Sequence, residues 1–160
     1  MEKGKEIYTE ETINESNPSV FLAGPTPRDL DVKSWRPDMI NSLRSAGFEG
    51  DILIPETRDP KVGYNYDNQI DWEHQGLTSA DLIIFWVPRN LTDMPAFTTN
   101  IEFGEWMGSG KVVLGYPEWA EKMRYLQYKA DRLDIPSYKD MGELSNYVSE
   151  FFIKVWEKIV

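Results

Sequence analysis

Apolar and polar positions fall into blocks along this chain, and the period of the pattern changes from block to block. "SVFLAG" (19–24), "DILIPE" (51–56), "DLIIFWV" (81–87) and "KVVLGY" (111–116) are short runs that are apolar at nearly every position. Such runs mark strands covered on both faces of a parallel sheet. "RLDIPSY" (132–138) is a weaker fifth. The segments between them follow a helical spacing. "SWRPDMINSLRSAGF" reads as a helix with Ser34 as its N-cap, Pro37 in the first turns and Gly47 at its end. Further helices are predicted over about 68–79, in "NIEFGEWMGSG", in "EWAEKMRYLQYKA" and in the amphipathic "MGELSNYVSEFFIKVWEKI".

Five strands alternating with five helices predict an α/β, flavodoxin-like, doubly wound five-stranded parallel sheet, with helices on both faces and strand order 2-1-3-4-5. Right-handed crossovers follow from chain chirality. With 160 residues and no repeat or low-complexity linker, residues 19–160 read as one domain behind a polar leader, 1–18. The leader lacks the apolar core of a signal peptide, and no run approaches the length of a membrane span. A soluble cytoplasmic protein is the expectation.

Charge narrows the partners. The formal net charge is −10, which argues against a nucleic-acid polymer and against an anionic membrane surface. The chain has no Cys and one His, so Cys/His zinc sites are excluded. No metal or redox cofactor is expected. A small ligand held by local contacts stays compatible with the overall charge.

In a sheet of this order the topological switch lies between the first and third predicted strands, and ligands bind outside the carboxyl ends of the strands there. The loops "AGPTPRD" and "PRNLTDMPAFTTN" meet at that crevice. Glu102 admits two readings. With Thr99 it makes a T-x-x-E capping box; alternatively its carboxylate faces the crevice, kept ionised by the helix N-terminus. Glu73 falls on the apolar stripe of Ile70, Leu77 and Ala80, where a carboxylate is costly unless paired or used. Asp71 points elsewhere and is a second choice. Gly24, Pro25, Thr26 and Arg28 form a loop able to hold a phosphate or sugar hydroxyl, although Arg28 has Asp29 and Asp31 as alternative partners. Trp86, Phe97, Tyr64 and Tyr66 offer stacking surface, with packing as the competing use. Gly104 and Gly108 would let their helix lie close against the sheet or a partner, and His74 reads as solvated.

With these residues in view, the chain resembles the nucleoside 2-deoxyribosyltransferase-like family. "VFLAGPTPRD" with "SWRP", "DWEHQGLTSADLIIFW" and "PAFTTNIEFGEWMGSGKVVLG" carry the likeness, over about residues 19 to 130. The resemblance implies a flavodoxin-like fold and Glu102 as a nucleophile, with Glu73, helped by Asp71, working at the departing base. It also implies a nucleoside or nucleotide and a nucleobase as ligands, and a homodimer or larger assembly. One departure stands out. The family's transferases carry an Asp six residues before the nucleophile, where this chain has Ala96; Asp93 or Asn100 is the nearest substitute. Three functions follow as expectations: transfer of a (deoxy)ribosyl group between bases, hydrolysis of nucleoside 5′-monophosphates with Arg28 on the phosphate, and non-catalytic nucleotide binding.

Overall fold

Leu82, Ile83, Ile84, Phe85 and Trp86 are buried without exception, as a strand with neighbours on both edges and helices on both faces must be. The computed structural model describes residues 3–63 and 65–159. Its elements in chain order are β1 (Glu6–Tyr8), β2 (Ser19–Ala23), α1 (Arg36–Ser45), β3 (Asp51–Ile54), α2 (Tyr66–Ser79), β4 (Leu82–Trp86), α3 (Phe97–Trp106), β5 (Val112–Gly115), α4 (Arg124–Arg132), β6 (Ser137–Tyr138) and α5 (Met141–Ile159).

The sheet is parallel throughout and runs β1-β3-β2-β4-β5-β6. The α/β, flavodoxin-like expectation holds, with six strands in place of five. The five anticipated strands keep their anticipated relative order, and β1 adds an edge beside β3. That strand comes from the polar leader. Ile7 and Ile13 of the leader are buried. The carboxylate of Asp51, itself buried, accepts from Lys5 N at 2.8 Å and from Asn17 Nδ2 at 3.1 Å.

Alternate side chains of each strand go to opposite faces, so there are two cores. Phe21, Leu53, Ile83, Phe85 and Leu114 pack under α2, α3 and α4 through Trp72, Leu77, Phe103, Leu126 and Ala130. Val20, Leu22, Ile52, Ile84, Trp86 and Val113 pack under α1 and α5 through Met39, Leu43, Leu144, Val148 and Phe152. Gly76 lets α2 sit close to β2: a Cβ there would lie 2.8 Å from the Phe21 ring. Among the described residues no helix is long and apolar enough to cross a membrane.

Two predicted helix starts move. α4 begins at Arg124, leaving Trp119 exposed in the preceding turns. α3 begins at Phe97, three residues earlier than expected, because Ala96 takes a left-handed conformation (φ 61°) as its N-cap. That shift decides the reading of Glu102.

Candidate active site

With the N-cap at Ala96, Glu102 is the sixth residue of α3, not the third. A capping box with Thr99 is therefore impossible: Thr99 lies inside the first turn and is buried, and Glu102 stands beyond the free amides of the helix start. Its side chain is half-buried and accepts no hydrogen bond among the described residues. The expectation of a carboxylate held ionised by the helix end falls with the cap. Burial, then the charge of Glu73, pushes the Glu102 carboxyl up to about 7; Arg36 acts in the opposite direction and Glu105 adds a smaller upward push.

Glu73 comes from α2, on the inward side with Trp72, Gly76 and Leu77. The expected stripe is corrected in one member, since Ile70 is largely exposed and Trp72 takes the buried place. Burial raises the pKa of Glu73, while a hydrogen bond from Gln69 Nε2 to Glu73 Oε1 (2.9 Å) and the charge of Arg36 lower it. The other amide atom, Gln69 Oε1, is buried with no partner among the described residues.

Arg36 is the group that sequence reading passed over. It opens α1, yet its side chain is only 1% exposed. Nε donates to Leu22 O at 3.1 Å, Nη2 to Gly24 O at 2.8 Å, and Nη1 to Thr26 Oγ1 at 2.7 Å and Glu56 Oε2 at 2.9 Å. The N-cap is Trp35, one residue after the predicted Ser34, whose hydroxyl oxygen accepts from Arg36 N at 3.2 Å while the hydroxyl donates to Glu56 Oε2 at 2.7 Å. Burial lowers the pKa of Arg36, opposed by Glu56 and then by Glu102 and Glu73. Glu56, just beyond β3, thus pairs directly with the buried cation, and Glu73 of α2 and Glu102 of α3 interact with the same charge. The signals were present in "SWRP" and in the acid closing "DILIPE".

The "AGPTPRD" loop is set by these groups. Trp35 Nε1 donates to Pro25 O at 2.9 Å. Gly24 has φ 148°, and a Cβ there would meet Trp86 O at 2.2 Å and the Trp35 ring at 2.7 Å, so no side chain fits. Thr26 reaches Arg36, and Arg28 is exposed and makes no ion pair among the described residues.

The remaining candidates do not join this cluster. Trp86 belongs to the core under α1 and α5, so it offers no stacking face. Asp71 is exposed on another side of α2, in a shallow depression with Glu10, Asn68, Trp72 and Gln75. Asp93 is exposed and lies 3.5 Å from Asn90 Nδ2. Asn100 accepts from Arg89 Nη2, and at two residues from Glu102 it faces the opposite flank of α3. Neither makes a hydrogen bond to Arg36, Glu73 or Glu102 among the described residues. Phe97 and Tyr66 are 70% and 68% exposed, His74 is exposed, and Tyr64 lies outside the described residues. Among the described residues no group of three or more His, Cys, Asp or Glu side chains is placed to hold a metal ion.

No curated protein sequence matches the chain. A solved structure of a conserved protein from Enterococcus faecalis V583 is similar in fold, with a TM-score of 0.58 at 12% identity, covering 83% of this chain and 98% of the other. A family profile described as "Nucleoside 2-deoxyribosyltransferase like" matches residues 17–120, more than half of the chain and the span that contains Gly24, Arg36, Glu56, Glu73 and Glu102. By that match the chain belongs to the nucleoside 2-deoxyribosyltransferase-like family, whose name carries a general role in nucleoside glycosyl transfer.

Proposed function

We propose that this protein cleaves the N-glycosidic bond of a nucleoside or nucleotide and passes the (deoxy)ribosyl group to a second base through an ester on Glu102. The observation that carries the reading is the pair Glu102 and Glu73, two half-buried carboxyls on α3 and α2 that both sense the charge of buried Arg36 and whose pKa values are both raised by burial. Interacting carboxyls titrate as a pair rather than one by one. Glu102 is the more strongly raised of the two, so the productive form, with the proton on Glu73 and the charge on Glu102, is the less populated arrangement of the pair in the free protein.

In that form a Glu102 oxygen attacks the anomeric carbon as the bond to the base breaks, and the bonding pair leaves with the base nitrogen. Glu73 delivers its proton to the departing base. In the second step Glu73 takes a proton from the incoming base, whose nitrogen attacks the anomeric carbon and releases Glu102. Two displacements give net retention. Water in place of the second base makes the same chemistry a hydrolysis.

A second copy of the chain fits this reading. Phe97 and Ile101 are each 70% exposed on α3, and a Cβ at Gly104 or Gly108 would meet nothing within 4 Å. An unpartnered apolar face on the helix that carries the nucleophile supports a homodimer whose partner covers the site. The free guanidinium of Arg28 on the neighbouring loop favours one variant of the reading, a 5′-phosphate on the substrate.

The test is to incubate the protein with a panel of nucleosides and their 5′-monophosphates, with and without an acceptor base, and to follow products by mass spectrometry. Base exchange and a sugar adduct on residue 102 are expected. No base release from any substrate, or full activity in Glu102→Gln, removes the proposal.

A further inference from the structure

We propose that the buried Arg36–Glu56 ion pair is a positioning device for the reacting carboxyls: Glu56 anchors the guanidinium, and Arg36 both fixes the substrate loop and supplies the positive charge that Glu102 and Glu73 share. The catalytic consequence rests on the glycosyl-transfer reading above; the electrostatic one does not.

The geometry is specific. One guanidinium fork reaches two β2-end carbonyls, the Thr26 hydroxyl and the Glu56 carboxylate. Its flat face lies 4.7 Å from the ring centroid of Trp35, and that indole holds Pro25 O. Lys, a point charge on a flexible stem, cannot reproduce a fork of this kind. Glu56 is itself held on the same oxygen by Ser34.

The Arg36 side chain is 1% exposed and that of Glu56 22%, so the desolvation of the guanidinium offsets much of the attraction between them. The pair's place between the substrate loop and two further carboxyls calls for another reason. The charges facing Glu102 are Glu73 from α2, Arg36 from α1 and Glu105 from its own helix; Glu56 from the end of β3 faces Arg36. One cation among Glu56, Glu73 and Glu102 cannot neutralise all three. Glu56 holds it most directly, so Glu73 and Glu102 are only partly compensated, and both carboxyls are raised.

The experiment is a titration of the glutamate side-chain carboxyls by carbon-13 NMR, with Glu102 and Glu73 assigned through E102Q and E73Q, in wild type and three variants. Arg36→Met removes the cation and is expected to move the Glu102 midpoint up by about one unit or more. Glu56→Gln keeps shape and hydrogen bonds but removes a competing anion, and is expected to move it down. Arg36→Lys keeps the charge and is expected to hold the midpoint near wild type while kcat/KM falls, because the loop is no longer gripped. Opposite shifts in Arg36→Met and Glu56→Gln are the signature; a purely structural ion pair lowers the melting temperature in each and leaves the midpoint unmoved, which overturns the proposal. Should Arg36→Met not fold, the Glu56→Gln shift decides alone. Shifts as expected without base release from any substrate retain the charge inference and sink the glycosyl-transfer reading; base release with unmoved midpoints does the reverse.

Discussion

Glu73 is the charge that most raises the proton affinity of Glu102, although the two residues lie on different helices and neither donates a hydrogen bond to the other. Two acids brought together from separate elements raise each other's cost of ionisation, and the fold keeps them there despite that cost. Such a pair is unfavourable for stability and useful for chemistry.

The sign of the pH dependence follows. The ordinary pKa of Glu is about 4.3, and Glu102 in the fold sits at about 7. Between those values the folded state binds more protons than the unfolded one, so stability falls as pH rises, and the loss is complete above the folded pKa. Thermal unfolding of wild type and Glu102→Gln compared at pH 5 and pH 8 is expected to show the variant gaining on wild type at the higher pH. A constant difference contradicts the assignment. Base release follows the opposite trend on its acid side, rising toward pH 7 as Glu102 ionises.

Replacing Glu73 separates two of its effects. Glu73→Gln removes a general acid, a loss of about 10²–10⁴ in rate, and it also removes the charge that pushes Glu102 up. Activity is expected to drop most for substrates with poorly stabilised leaving bases and least for bases that depart readily. The acid limb of what activity remains moves to lower pH. Steady-state rates over a leaving-group series and a pH series measure both; a uniform loss with an unmoved limb leaves Glu73 without the acid's role.

Gln69 offers a milder version. Its amide donates to Glu73 and favours the ionised form. Gln69→Leu deletes that bond and also the buried, unpartnered Oε1. Glu73 then holds its proton more firmly, so more of the pair carries the proton on Glu73, and the rate near neutral pH is expected to rise while folding stability changes by less than about 1 kcal/mol. A rate–pH profile identical to wild type contradicts a role for the Glu73 proton.

What the sequence disclosed follows from what each residue does to the hydrophobic pattern. Apolar runs such as "DLIIFWV" announce β4, because a strand buried on both faces cannot be written otherwise. β1 has three residues and one buried apolar side chain, Ile7, too little for any periodicity. Glu73 was legible because it interrupts an apolar stripe. Trp86 lies inside an apolar run, and of the two uses the sequence left open for it, stacking and packing, the structure takes packing. The start of α3 was not legible, since Ala96 gives no sign of a left-handed N-cap. Arg36 hid for a better reason: cations are almost never fully buried unless paired, and its partner Glu56 is 20 residues away in the chain.

Gly24 is the least replaceable position of the "AGPTPRD" loop. Its φ of 148° lies where side chains are rarely tolerated, and a Cβ would strike the Trp86 carbonyl, which is backbone and cannot turn aside. Gly24→Ala is expected to cost about 1–3 kcal/mol or more in urea unfolding and to displace Thr26 from Arg36. Retention of full stability and activity would mean that the loop path drawn here is not the one the protein uses.

The exposed face of α3 makes the last prediction. Phe97 and Ile101 project one turn apart on a helix whose inner side holds Thr99 and Phe103 against the sheet. The outer face is mostly open to solvent, with Phe97 and Ile101 each 70% exposed, so a charge placed there changes the monomer's packing little. In a homodimer it would bury an unpaired carboxylate in an apolar contact, which is costly. Ile101→Asp is therefore expected to keep its far-UV circular dichroism and melting behaviour as a monomer, to sediment at half the wild-type mass, and to lose base release with the partner that covers Glu102. A wild-type protein that sediments as a monomer, or an Ile101→Asp variant that stays dimeric and active, removes the second copy from the site.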